Sequence, residues 1–94
     1  MKQPWFYILL SLASSDRYGS QVQEDVHALS HGRVRLWPAT LYGSLEELLA
    51  RGWIRELAGR EQPAEVRGRE RFYRIRAEGR EALRHEVERL EGTV

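Results

Sequence analysis

The chain has 94 residues, a net charge of +1 and no cysteine. This length suits one domain and is too short for two cores that each fold alone. The lack of cysteine excludes disulfides, thiolate metal sites and cysteine nucleophiles, and the near-zero net charge does not by itself indicate a nucleic-acid partner.

The first predicted helix covers residues 5–14 and is apolar on almost every side. Pro4 fits a helix start, because the amide hydrogen it lacks would have no partner there. A helix of this kind must be buried all round, partly against a second copy of the chain. Its apolar stretch is too short to span a bilayer, so we expect a cytoplasmic protein without a membrane segment or a secretion signal.

A second helix is predicted to begin at about Gly19 or Ser20, after a turn at residues 15–18, and to stop near His31 and Gly32. Ser20 and Gln23 have the spacing of a capping box, in which each side chain binds a free backbone amide of the first turn. The predicted buried stripe is Val22, Val26 and Leu29.

A third helix is predicted from Pro38 to just before Gly52, after a short half-buried strand at residues 33–36. Leucines at positions 41, 45, 48 and 49 share one face, so this face is expected to point toward the core. The opposite face is predicted to carry Ala39, Tyr42, Gly43, Ser44 and Glu46, and Thr40 is expected to point outward with them.

Two short strands are predicted at residues 54–58 and 71–76. The polar residues 59–70 between them are too many for a tight turn, so we expect a hairpin with a projecting tip, called the wing below. Residues 67–76 hold five arginines and one glutamate, a net charge of +4. Such a local excess of positive charge attracts phosphate.

A fourth helix is predicted at residues 77–90, with Ala82, Leu83, Val87 and Leu90 on one side. The order of elements predicts an α+β, mostly α fold, the winged helix-turn-helix. Residues 1–76 would form the DNA-binding domain, and residues 77–94 a C-terminal dimerisation helix continuous with it.

The outward face of the third helix and the arginines near it form the predicted DNA-binding site. Small side chains admit close approach to base edges, and hydroxyl groups or cations bind phosphate. The predicted contacts are Ala39, Thr40, Tyr42, Gly43 and Ser44 in the helix, Arg33 and Arg35 ahead of it, and Arg67, Arg69 and Arg71 in the wing. Two simpler interpretations stay open, a solvated helix face and wing arginines paired with nearby glutamates.

These residues, in this order and spacing, resemble the PadR family of transcriptional regulators. The similarity includes Phe6-Tyr7-Ile8-Leu9-Leu10, Tyr18-Gly19, Thr40-Leu41-Tyr42-Gly43-Ser44-Leu45, Leu48, Gly52-Trp53-Ile54, Phe72-Tyr73-Arg74-Ile75 and Ala77-Glu78-Gly79-Arg80. The resemblance implies a homodimer with a third helix in each DNA major groove, and repression that a small effector relieves. The chain departs from the family pattern at Arg76, where many members have Thr, and at Tyr18, where many have His. Its single terminal helix resembles the short-tailed branch of the family.

The predicted dimer interface joins the first and last helices of two chains. Its residues would be Trp5, Phe6, Leu9, Leu83, Val87 and Leu90. A two-fold dimer predicts a pseudo-palindromic operator with half-sites about one helical turn apart, roughly 34 to 36 Å.

Other kinds of site have weaker signals. His27 and His31 are spaced to chelate zinc, but a histidine at a helix end also complements the helix dipole, and we expect no metal and no cofactor. Trp53 is assigned to the core, whereas Trp37, beside the third helix, could bind a small aromatic effector.

The sequence shows no Gly-rich phosphate loop, no recognisable pair of catalytic acids and no nucleophile elbow, so an enzyme is not expected. The alternative function is a winged-helix module that binds protein and not DNA. Such a module would not need an arginine-rich wing.

Overall fold

The computed structural model describes residues 1–65 and 70–92. This part of the chain contains four α-helices, three short strands and one 3-10 helix. In chain order they are α1 (Gln3–Ser14), β1 (Arg17–Tyr18), α2 (Gly19–Leu29), α3 (Pro38–Ala50), β2 (Ile54–Glu56), the 3-10 helix (Gly59–Glu61), β3 (Phe72–Ile75) and α4 (Ala77–Glu91). None of these helices is long and apolar enough to cross a membrane.

The sheet differs from prediction in its first strand. It is antiparallel with the order β1-β3-β2, so β3 lies in the middle. Residues 33–36 form no strand and pair with none of these three strands. The alternation in this segment is nevertheless real, since Val34 and Leu36 are buried while Arg33 and Arg35 are exposed. The third strand of the sheet is instead β1, at Arg17–Tyr18, which lies within the segment predicted to be a turn.

The predicted capping box of α2 is wrong. The helix begins at Gly19, and the side-chain oxygen of Gln21 accepts a hydrogen bond from the backbone amide of Tyr18 at 3.1 Å. The two residues of the predicted box make longer-range contacts: Ser20 donates to Glu70 and Gln23 donates to the carbonyl of Leu36.

The end of α2 also comes earlier than predicted. The helix stops at Leu29, and the chain turns through His31 and Gly32, both with positive φ (56° and 79°). Leu29 is 38% exposed, so its assignment to the buried stripe is wrong. Buried Ser30 holds the turn instead, since its hydroxyl accepts a hydrogen bond from the amide of Val34 at 2.9 Å.

The leucine face of α3 packs into the core as predicted. Leu41, Leu45 and Leu48 are fully buried and belong to one cluster with residues of α1 and β3. Leu49 is partly buried at the edge of this cluster. Because one face of α3 is committed to the core, the other face points to solvent.

The start of α4 is packed tightly against the chain just before β2. The amide of Arg76 donates to the carbonyl oxygen of Trp53 at 2.8 Å. A Cβ atom built at Gly79 would lie only 2.2 Å from the same oxygen. A glycine is therefore needed at position 79 for its lack of a side chain, and this contact fixes where α4 leaves the sheet.

Candidate nucleic-acid interface

The outward face of α3 presents four of its five predicted contact residues. Ala39, Thr40, Tyr42 and Gly43 are exposed. Ser44 is only 8% exposed, so its prediction as an outward residue is wrong. At 100° per residue, position 44 lies beside 41, 45 and 48 on the core side of the helix.

The first turns of α3 carry no negative charge, since residues 38–45 contain no Asp or Glu. The acidic residues of the helix are Glu46 and Glu47 in its third turn. Each contacts a cation: Glu46 lies 3.6 Å from Arg71, and Glu47 lies 3.1 Å from Lys2. The leading end of α3 is thus the part best suited to approach a polyanion.

Arg33 and Arg35 flank the leading end of α3, and both are exposed. The guanidinium of Arg35 lies 5.5 Å from the ring centroid of Trp37, the residue just before the helix. Trp37 is 62% exposed, more than any other large apolar residue described. Sequence reasoning considered Trp37 only as part of an effector site, although its position directly before Pro38 already placed it next to the predicted contact face.

Arg71 connects the wing to the same face. Its guanidinium lies 3.6 Å from Glu46 of α3 and 3.8 Å from Glu56 of β2, and its side chain is 62% exposed. The neighbouring Tyr73 hydroxyl and the two carboxylates raise the pKa of Arg71 above its ordinary value. These contacts are long, and exposed ion pairs of this kind are weak.

Two other arginines of the wing, Arg55 and Arg74, are more firmly paired. Arg74 binds both carboxylate oxygens of Asp16, at 3.0 and 2.8 Å. Arg55 binds Glu61 in the same two-bonded manner, at 3.0 and 2.8 Å. Contact with Arg55 and the amide of Ala58 lowers the pKa of Glu61 to about 2. The predicted contacts Arg67 and Arg69 lie outside the described residues.

The predicted dimer residues divide into two groups. Trp5, Leu9 and Leu83 are buried in the core of their own chain, so their prediction as interface residues is wrong. Trp5 meets Trp53 edge to face, with 5.9 Å between ring centroids. The remaining residues are accessible: Phe6 and Val87 are half-buried and Leu90 is 45% exposed.

A cavity of about 260 Å³ opens beside the start of α3. It is lined by Gln23, Glu24, His27, Arg35, Leu36 and Trp37. The zinc interpretation of the histidines gains no support, because residues 1–65 and 70–92 contain no group of three or more potential metal ligands.

Comparison with known proteins agrees with this geometry. A family model described as "Transcriptional regulator PadR-like family" matches residues 8–85. No curated protein sequence matches the chain significantly.

Three solved structures illustrate the likeness of fold. A PadR family transcription regulator from Clostridium difficile has 20% identity and a TM-score of 0.80, covering 98% of this chain and 91% of its own. A transcriptional regulator from Clostridium thermocellum has 24% identity and a TM-score of 0.76, with 95% and 83% coverage. RosR from H. salinarum has 20% identity and a TM-score of 0.76, with 99% and 76% coverage.

Proposed function

The chain belongs to the PadR-like family of transcriptional regulators, and we propose that it represses transcription by binding a pseudo-palindromic DNA site as a homodimer. The family assignment confirms the prediction that the chain is not an enzyme and does not favour the alternative of a module that binds only protein. The observation that carries the proposal is the leading end of α3, which exposes small and hydroxyl-bearing side chains, lacks carboxylates and follows directly on a segment with two exposed arginines, Arg33 and Arg35.

The proposed contacts divide by chemistry. Ala39 and the methyl group of Thr40 suit the methyl groups of thymine, while the hydroxyls of Thr40 and Tyr42 donate to bases or phosphates. Arg33, Arg35 and Arg71 bind phosphates on either side of the groove. Since the exposed start of α3 holds no Asn, Gln or Arg, much of the specificity comes from DNA shape and half-site spacing.

The proposed dimer surface is the groove between α1 and α4. Phe6 and Leu90 line a cavity of about 220 Å³ there, together with Met1, Gln3, Tyr7, Glu86 and Arg89. Leu90 is among the most exposed large apolar side chains described. A second copy covering this surface adds the buried apolar area that a 94-residue chain otherwise lacks.

The cavity at Trp37 is the proposed effector site. An indole face with a guanidinium above it suits a planar aromatic anion, and the volume lies just below the usual range for small-molecule pockets, so the ligand would be small. A ligand there would lie at the start of α3 and compete with DNA. Naphthoate is expected to quench tryptophan fluorescence and displace duplex DNA; equal quenching in Trp37→Ala would contradict this site.

Two substitutions on α3 test the DNA-binding face. Gly43→Glu places a carboxylate on the leading face, where an added Cβ meets nothing within 4 Å, so the fold tolerates it. Ala50→Glu makes the same change of charge at the exposed last residue of the same helix. Titration of duplex DNA is expected to show at least tenfold weaker binding for Gly43→Glu and little change for Ala50→Glu. Equal affinities, or no duplex binding by the wild type at low salt, would overturn the proposal.

A further inference from the structure

The phenol ring of Tyr42 rests on the first turn of α2. Tyr42 is 41% exposed, while Gly19, beneath the ring, is buried. A Cβ atom built at Gly19 would lie 2.6 Å from the Tyr42 hydroxyl oxygen, 3.1 Å from Cζ and 3.3 Å from Cε1. The outer end of the phenol therefore occupies the space that any side chain at position 19 would need.

The backbone at position 19 does not require glycine. Positive φ angles occur at Gly32 and Gly52, where glycine relieves backbone strain, but not at Gly19. The first position of a helix accepts most residues, and glycine is a poor helix former. Glycine matters at position 19 because it has no side chain, which leaves room for the phenol ring of Tyr42.

The kind of obstacle decides what a larger residue would do. At Gly79 a side chain meets a backbone carbonyl, which cannot move without disturbing the fold. At Gly19 it meets the far end of a side chain that has free rotation about two bonds. An alanine at position 19 is therefore accommodated by turning the phenol away, with the helices left in place.

We propose that Gly19 is a positioning residue, which seats the Tyr42 phenol against α2 so that its hydroxyl points to a DNA phosphate. The inference rests on the proposed function, because it gives Tyr42 a DNA contact. It also gives a role to Gly19, which the DNA-binding face alone leaves unexplained. Tyr42 touches the DNA in this account, whereas Gly19 acts only through Tyr42.

The test combines Gly19→Ala, Tyr42→Phe and the double variant, with Gly59→Ala as the control. Gly59 is exposed and has nothing within 4 Å of an added Cβ. Gly19→Ala and Tyr42→Phe are each expected to weaken duplex binding about tenfold per contact, the value of one hydrogen bond to a charged group. The double variant is expected to bind no more weakly than either single variant, and Gly59→Ala to bind like the wild type.

Several outcomes overturn the inference. Additive losses in the double variant, or full affinity of Gly19→Ala beside a weakened Tyr42→Phe, would remove the link between the two residues. A urea midpoint of Gly19→Ala well below that of the wild type would make the role structural. If Tyr42→Phe binds normally while Gly43→Glu binds weakly, this inference fails and the proposed function stands.

The position of the phenol is also measurable without DNA. Nuclear Overhauser contacts between the Tyr42 ring protons and the Gly19 α-protons are expected in the free protein. In Gly19→Ala, the Overhauser contacts between the Tyr42 ring and the α-proton of residue 19 are expected to disappear. The contacts among the core leucines of α3 are expected to stay unchanged. Their absence from the wild type would overturn the seating of the ring.

Discussion

Replacing Arg71 with alanine is expected to reduce the salt dependence of DNA binding. The guanidinium is largely exposed, and its two carboxylate contacts are long, at 3.6 and 3.8 Å. It can therefore exchange these two carboxylate contacts, which are weak, for a contact with a phosphate at little cost. When the logarithm of the affinity is plotted against the logarithm of the salt concentration, each phosphate that the protein neutralises makes the slope steeper by about 0.9.

A dimer carries two copies of Arg71, so the slope for Arg71→Ala is expected to be shallower by about 1.8. Over a fourfold rise in salt, the wild type would then lose about twelvefold more affinity than the variant. The assay is fluorescence anisotropy of a labelled duplex at several salt concentrations. The weakening at any one salt concentration should be similar for different duplex sequences, because a phosphate contact carries no base information.

Arg84→Ala is the matched control. Arg84 also lies between two carboxylates, Glu81 and Glu88, but on α4. Both substitutions change the net charge equally, so a general effect of charge would alter both slopes. An unchanged slope in Arg71→Ala, or equal changes in the two variants, would refute the proposed phosphate contact of Arg71.

Four further substitutions test the packing, the dimer and the electrostatics. Gly79→Ala is expected to lower the free energy of unfolding by about 1 to 3 kcal/mol, because the added carbon would lie 2.2 Å from the carbonyl oxygen of Trp53; urea unfolding like that of the wild type would contradict this contact. Val87→Asp is expected to give folded monomers in sedimentation, whereas Leu83→Asp is expected to unfold the chain, because Leu83 belongs to the core and Val87 does not. A dimer of Val87→Asp would point to another interface. As the pH falls from about 4.5 to about 2, the wild type is expected to lose more stability than Glu61→Gln. The reason is that the lowered pKa of Glu61 makes its charged form stabilising, and this contribution disappears as the carboxylate is protonated. Parallel plots of urea midpoint against pH for the two proteins would refute this.

The helix α3 was predictable because independent signals agree on it. Pro38 marks its start, Gly52 follows its end, and the leucine spacing identifies the core face. Ser44 was misassigned because it has a small polar side chain but lies at the boundary of that face. Its chemistry suggested solvent, whereas its angular position places it inside.

The strand β1 could not be found from local sequence. Two residues are too few to show a period of alternation, and Arg17–Tyr18 is extended because β3 passes beside it. Residues 33–36 show the reverse case, a pattern typical of a strand without a partner strand to pair with. Pairing depends on segments more than 50 residues apart, which propensity does not report.

The roles of individual side chains were equally beyond the sequence pattern. Arg71 and Arg74 have the same chemistry and lie three residues apart, yet only Arg74 is bound by Asp16, 58 residues away in the chain. Trp5 and Leu9 were correctly expected to be buried, but an apolar helix does not reveal whether its own chain or a partner covers it. Both are covered by their own chain.

Selection of bound duplexes from a random pool tests most directly whether the leading end of α3 reads DNA in a two-fold dimer. The wild-type chain is expected to enrich a pseudo-palindrome whose half-sites are about 10 base pairs apart, centre to centre, or a multiple of that distance. Gly43→Glu, selected in parallel, is expected to enrich no site. A pool that stays random with the wild type, or the same site enriched by both proteins, would contradict the account.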